Sequence, residues 1–172
     1  MTVPAVDTFT AHRFNVRVAD LSDFQQRYEQ AVPLYPVKEV DAMVEREASW
    51  TEMLDYIDSV AANGFLIYWR SDIHRVMRLA DDKARCFAYL MGNHTIAERM
   101  YRHDPAIMLY APLRTAIYED ADGTTWFSVD QPSTRFRSFG DPAIADVGLE
   151  LDRKLAALLE HLGAPVPPTL TT

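Results

Sequence analysis

Residues 113–119 (Leu-Arg-Thr-Ala-Ile-Tyr-Glu) and 124–130 (Thr-Thr-Trp-Phe-Ser-Val-Asp) are two runs of β-forming residues on either side of Asp122-Gly123, a strong short-range signal for a hairpin. The side chains also choose its register. A three-residue loop, Ala121-Asp122-Gly123 with Gly123 left-handed, sets Ile117 opposite Phe127 on one face and Arg114 opposite Asp130 on the other. A two-residue loop mismatches these faces, because a slip of one residue sends every side chain to the wrong side. The chain must therefore build a sheet around this pair.

Further elements bracket the hairpin. Phe14, Val16 and Val18 alternate with polar residues and predict a strand over residues 12–19. Asp20 or Ser22 then caps a short helix with Leu21, Phe24 and Tyr28 at helical spacing, ended near Pro33. The polar run 38–47 is expected to cross the surface. Ser49 and Glu52 form a capping box for a helix over residues 50–62, and a strand follows at 65–70. Over 72–79 the periodicity is undecided and leans to helix.

Residues 84–91 predict a strand with Ala84, Cys86, Ala88 and Leu90 on one face and Arg85, Phe87, Tyr89 and Met91 on the other. Small side chains let a helix approach closely, so a helix is expected over the Cys86 face, with Cys86 buried. Gly92-Asn93-His94 turns the chain into a helix over 95–102, where Thr95 and Glu98 resemble a second capping box, and Pro105 closes it. Asp141-Pro142 opens a long C-terminal helix. Its apolar stripe runs from Ile144 through Leu151, Leu155 and Leu158 to the stop at Gly163. These elements describe a single compact α+β domain over residues 11–163, with a mixed or antiparallel sheet of four to five strands and helices packed on it. Residues 1–10 and 164–172 are expected to be flexible ends.

Composition narrows the function classes. A chain of 172 residues with 48% hydrophobic and 24% charged residues has the balance of one ordinary globular domain. Its net charge of −8 argues against nucleic acid, whose affinity comes from clustered Lys and Arg. No apolar run reaches the roughly 20 residues of a membrane helix. Residues 1–7 have neither the basic start nor the apolar stretch of a secretory signal, which predicts the cytoplasm. Cys86 stands alone, so no intramolecular disulfide or multi-cysteine zinc site can form.

The residues that can carry chemistry concentrate at Gly92-Asn93-His94, a strand end turning into a helix start. Unpaired N–H groups there attract anions, and Asn93 or His94 can orient a ligand. A plain turn with a solvent-facing His94 accounts for the same residues. His94 also suits heme or another metal as a protein ligand, although His103, nine residues on, falls on the other side of the helix. Arg114 shares its predicted face with Tyr118, Trp126 and Asp130, which fits either a carboxylate ligand or a cross-strand pair with Asp130. Phosphate-loop, zinc-protease and hydrolase signatures are absent.

The run from Cys86-Phe87-Ala88-Tyr89-Leu90-Met91-Gly92-Asn93-His94 to Met100, followed by His103-Asp104-Pro105 and Ala111-Pro112-Leu113-Arg114, resembles the bacterial family known as domain of unknown function 302. The resemblance covers about residues 50–132. It implies a compact α+β fold, often dimeric, with no established reaction. His94 stands where that family usually has Pro, Leu113 where it often has Cys, and residues before about 48 look like an addition. The expectation that follows is a small-molecule-binding or accessory domain, a homodimer, with a site at Asn93, His94, Arg114 and Tyr118. A heme- or metal-dependent enzyme using His94, and an interaction domain dimerising through a sheet edge or the long helix, are the competing readings.

Overall fold

The computed structural model describes residues 6–171. Its sheet has five strands, β1 (Arg13–Val18), β2 (Leu66–Ser71), β3 (Cys86–Gly92), β4 (Leu113–Glu119) and β5 (Thr125–Asp130), in the order β1-β5-β4-β3-β2. Every neighbouring pair is antiparallel. The hairpin has the register its side chains require, with Ile117 opposite Phe127. Asp120 pairs with Thr124 through a 3.0 Å N–H···O bond, and Gly123 is left-handed at φ 77°, a conformation that carries little penalty only without a Cβ.

Among the described residues seven α-helices accompany the sheet: α1 (Leu21–Ala31), α2 (Val37–Glu45), α3 (Trp50–Val60), α4 (His74–Met77), α5 (His94–Tyr101), α6 (Pro132–Phe136) and α7 (Pro142–His161). One buried cluster joins Phe24 and Tyr28 of α1, Met100 of α5 and Leu155 of α7 to Ile117 and Phe127 of the sheet. A smaller one lies between α2, α3 and Leu66, built on Val40, Met43 and Ile57. The polar run expected to cross the surface is thus α2, because Val40 and Met43, three residues apart, bury one narrow stripe beneath many charges. The ambiguous stretch 72–79 is helical, as α4 and a 3₁₀ turn at Arg78–Ala80.

The helices cover the face of β3 opposite to the one expected. Tyr89 and Met91 are buried at 2% and 0% exposure, whereas Cys86, Ala88 and Leu90 are only half-buried on the opposite face. Transfer free energy decides the orientation: large apolar side chains lose far more water-exposed area than Ala or Cys, at about 25 cal/mol per Å². Partial burial still pushes the Cys86 thiol up, away from thiolate.

The buried Asp152 of α7 fixes the covering layer in place. Its Oδ1 accepts from the Ser133 backbone N–H at 2.9 Å, and its Oδ2 accepts from Ser133 Oγ at 2.6 Å and Gln131 Nε2 at 2.7 Å. Three donors make a buried carboxylate tolerable without a cation. Gln131 also donates to Thr169 O at 3.2 Å, and Leu170 is 1% exposed, so the stretch expected as a flexible C-terminal tail folds back as a turn at Pro168–Leu170. Of the flexible N-terminus expected over residues 1–10, the first five lie outside the described residues. No helix among the described residues is long and apolar enough to cross a membrane.

Candidate functional site

The end of β3 meets α5 at the seam between the two buried clusters. Asn93, not Thr95, is the N-cap. Its backbone is extended, and its Oδ1 accepts from Thr95 N at 2.9 Å and Thr95 Oγ1 at 2.7 Å. Its Nδ2 donates to Gly64 O at 3.2 Å, tying the turn to the α3–β2 connection. Glu98 is engaged with Arg102 rather than with the cap. Asn93 is therefore occupied in positioning α5, as an N-cap residue ordinarily is.

His94 is held by a tyrosine that the sequence does not single out. Between Ile67 and Trp69 the β2–β3 register shifts, leaving Tyr68 as the extra residue of a bulge. Bulges of this kind re-aim a side chain. Tyr68 Oη accepts from the His94 backbone N–H at 2.9 Å and lies 2.8 Å from His94 Nδ1. The tyrosine is itself packed by Tyr35, whose ring stacks on it at 4.5 Å and meets His94 edge-on at 5.4 Å. Tyr35 reaches this position because Pro33–Tyr35 pairs with Ile67 through bonds of 2.8 and 2.9 Å.

This geometry sets protonation. Burial drives the Tyr68 phenol well above its ordinary range, so it keeps its proton, and the same desolvation lowers His94, so the ring is neutral near pH 7. A Tyr68 oxygen that already accepts from His94 N–H sends its own proton to Nδ1, the acceptor within reach. With Nδ1 as acceptor, this arrangement places the imidazole proton on Nε2. That atom is buried and has no hydrogen-bond partner, the one such side-chain polar atom among the described residues. Native proteins pair nearly all buried polar groups, so an orphan of this kind calls for an explanation.

The His94 ring belongs to the lining of a cavity of about 120 Å³ that is almost wholly apolar. Ile96, Ala97 and Met100 of α5 form one wall, Pro112 and Leu113 a second, and Phe136 and Leu151 close the far side. Gly92 lets Pro112 approach closely there. A Cβ on it would stand 3.1 Å from Pro112 Cβ and 3.2 Å from Pro112 Cα, so Pro112 would have to give by a few tenths of an ångström.

The expected site is brought together only in part. Leu113 faces the cavity, and its neighbour Arg114 therefore points to the other side of the sheet, where it is exposed, with Tyr118 on the same face. The Arg114–Asp130 pair does not form; Asp130 bonds Arg13 and Arg135 instead. The anion site expected at the α5 N-terminus is pre-empted, since Tyr68 and Asn93 take the N–H groups of His94 and Thr95. His103 sits 3.4 Å from Asp141, away from His94. No cluster of three or more His, Cys, Asp or Glu that could hold a metal occurs among the described residues.

Residues 43–162 match the family described as Domain of unknown function DUF302. The chain belongs to the DUF302 family. A crystal structure of an uncharacterized conserved DUF302 protein from Bacillus stearothermophilus has the same fold, with a TM-score of 0.60 at 14% identity over 88% of this chain and 97% of that one. That span is longer than residues 43–162, so part of the chain outside the family match also has a counterpart there. No curated protein matches the sequence. His94 is among the residues that line the cavity of this DUF302 domain.

Proposed function

We propose that this DUF302 domain binds a small, largely apolar molecule carrying one hydrogen-bond acceptor, held in the cavity under α5 with His94 Nε2–H as its polar anchor. The observation that carries this reading is the buried, unpartnered Nε2 of a ring that lines the cavity. The chemistry agrees with it: an apolar wall with a single oriented donor is how small-molecule sites combine affinity with orientation. At about 120 Å³ the cavity is comparable with engineered apolar cavities of ~150 Å³ that stay dry and take up benzene. Tyr68 and Asn93 act as positioning residues.

The same observations weigh against heme. Pockets for larger ligands run from about 300 Å³ upward. A metal on Nε2 also needs the proton on Nδ1, which would give the Tyr68 oxygen two N–H donors and leave its own proton without the acceptor it has now.

Titration with cyclopentanone and with benzene, followed by NMR of the Ala97 and Met100 methyl groups, tests the reading. Saturable shifts are expected from both, with the ketone roughly fivefold to tenfold weaker against His94→Leu, the worth of one hydrogen bond. Ala97→Leu, which fills the cavity, abolishes both. Absence of saturable shifts, or equal binding by Ala97→Leu, overturns the proposal.

A further inference from the structure

The uncovered face of the sheet carries a second concavity, a groove of about 760 Å³, within the range of roughly 300–1,000 Å³ typical of ligand sites. Strand register explains its shape. Ala88 pairs with Ala116, and Ala116 with Ser128, so three adjacent strands present small side chains in one row running across the sheet. Aromatic rings border this row: Tyr118 lies two residues along β4, and Trp69 of β2 is 47% exposed despite its size.

Charge distinguishes the groove from a bare apolar face. Arg13, Arg114 and Arg135 line it, and Asp130 is the one carboxylate among its lining residues. Both Asp130 oxygens are taken, Oδ1 by Arg13 at 3.2 Å and Oδ2 by Arg135 at 2.5 Å. Arg114, directly beyond Ala116 on β4, is exposed and forms no ion pair among the described residues. A chain with a net charge of −8 thus places a surplus of guanidinium beside aromatic rings in this groove. A planar guanidinium fits a carboxylate in bidentate fashion, and aromatic rings bordering a floor without bulk fit a flat ring.

We propose that this groove binds a planar aromatic carboxylate, its ring over Ala88 and Ala116 between Trp69 and Tyr118, and its carboxylate on Arg114. The site is independent of the His94 cavity, which opens on the other side of the sheet.

The probe is 2-naphthoate, with 2-naphthamide as its uncharged counterpart, followed by calorimetry and by the Trp69 indole N–H in NMR spectra. Saturable binding of the acid is expected, with at least tenfold weaker binding by the amide and by Arg114→Gln, and none by Ala116→Phe. Arg114→Gln leaves cyclopentanone binding at His94 unchanged. Equal affinities of acid and amide, or a Trp69 signal unmoved at saturation, overturn the proposal. So does displacement of the acid by a decaglutamate peptide that binds more tightly, which assigns the groove to an acidic protein segment. Self-association that covers the Trp69 indole in the free protein assigns it to a second copy and overturns the proposal equally.

Discussion

The two faces of β3 are built from neighbouring residues and behave in opposite ways. Phe87, Tyr89 and Met91 face the helices, and there the buried side-chain polar atoms among the described residues are paired, with the one exception of Nε2 of His94, a residue that lines a cavity. Cys86, Ala88 and Leu90 face outward, where the sheet carries unpaired charge and an open groove. Small residues on a strand therefore have two meanings. They admit a helix when the opposite face is also small, and they form a floor when the opposite face holds the bulk that must leave water.

If this contrast is right, the same kind of change has very different costs on the two sides. Asp152→Ala, on the covered side, strands Ser133 N, Ser133 Oγ and one Gln131 proton. It should destabilise by about 3 kcal/mol or more in urea unfolding, at ~1–3 kcal/mol per buried unsatisfied group. A cost below 1 kcal/mol would erase the distinction. Tyr68→Phe removes one hydroxyl from His94 N and Nδ1, for an expected loss of about 1–2 kcal/mol. It should also redistribute the imidazole proton, which NMR of the ring nitrogens reads.

Acid sharpens the comparison at His94. Its ring is held neutral in the fold, below the ordinary value of 6.5. As pH falls through 6.5 the unfolded chain takes up a proton that the folded ring refuses, so stability declines until the folded pKa is passed and then levels off. Subtracting the stability profile of His94→Gln from that of the natural chain should isolate this decline, and a flat difference would contradict the burial of the ring. Arg114→Gln, on the open face, should change stability by no more than about 0.5 kcal/mol, because Arg114 has no ion pair or side-chain hydrogen bond among the described residues. A larger loss would mean that the face is structurally engaged.

Local chemistry made much of this architecture readable. Asp122-Gly123 and the faces of its flanking strands specify the hairpin register, and Asp141-Pro142 with the stripe to Leu162 specifies α7. Thr95-x-x-Glu98 satisfies the capping-box pattern and points to a cap two residues late, while Asn93 wins through its extra bond to Gly64. His94 was visible as a titratable residue at a turn. Tyr68 was not, since its role depends on a bulge that periodicity cannot reveal, nor was Tyr35, which arrives through long-range pairing with Ile67. Arg114 and His94 do not share one site, because strand alternation sends Leu113 and Arg114 to opposite faces.

A long-range ¹H–¹⁵N correlation of the His94 ring at pH 7, recorded during a cyclopentanone titration, tests the account most directly. The account predicts a neutral ring protonated on Nε2, with that proton moving saturably downfield as the ketone enters. A proton on Nδ1, or an Nε2–H signal unchanged at saturating ketone, would contradict it.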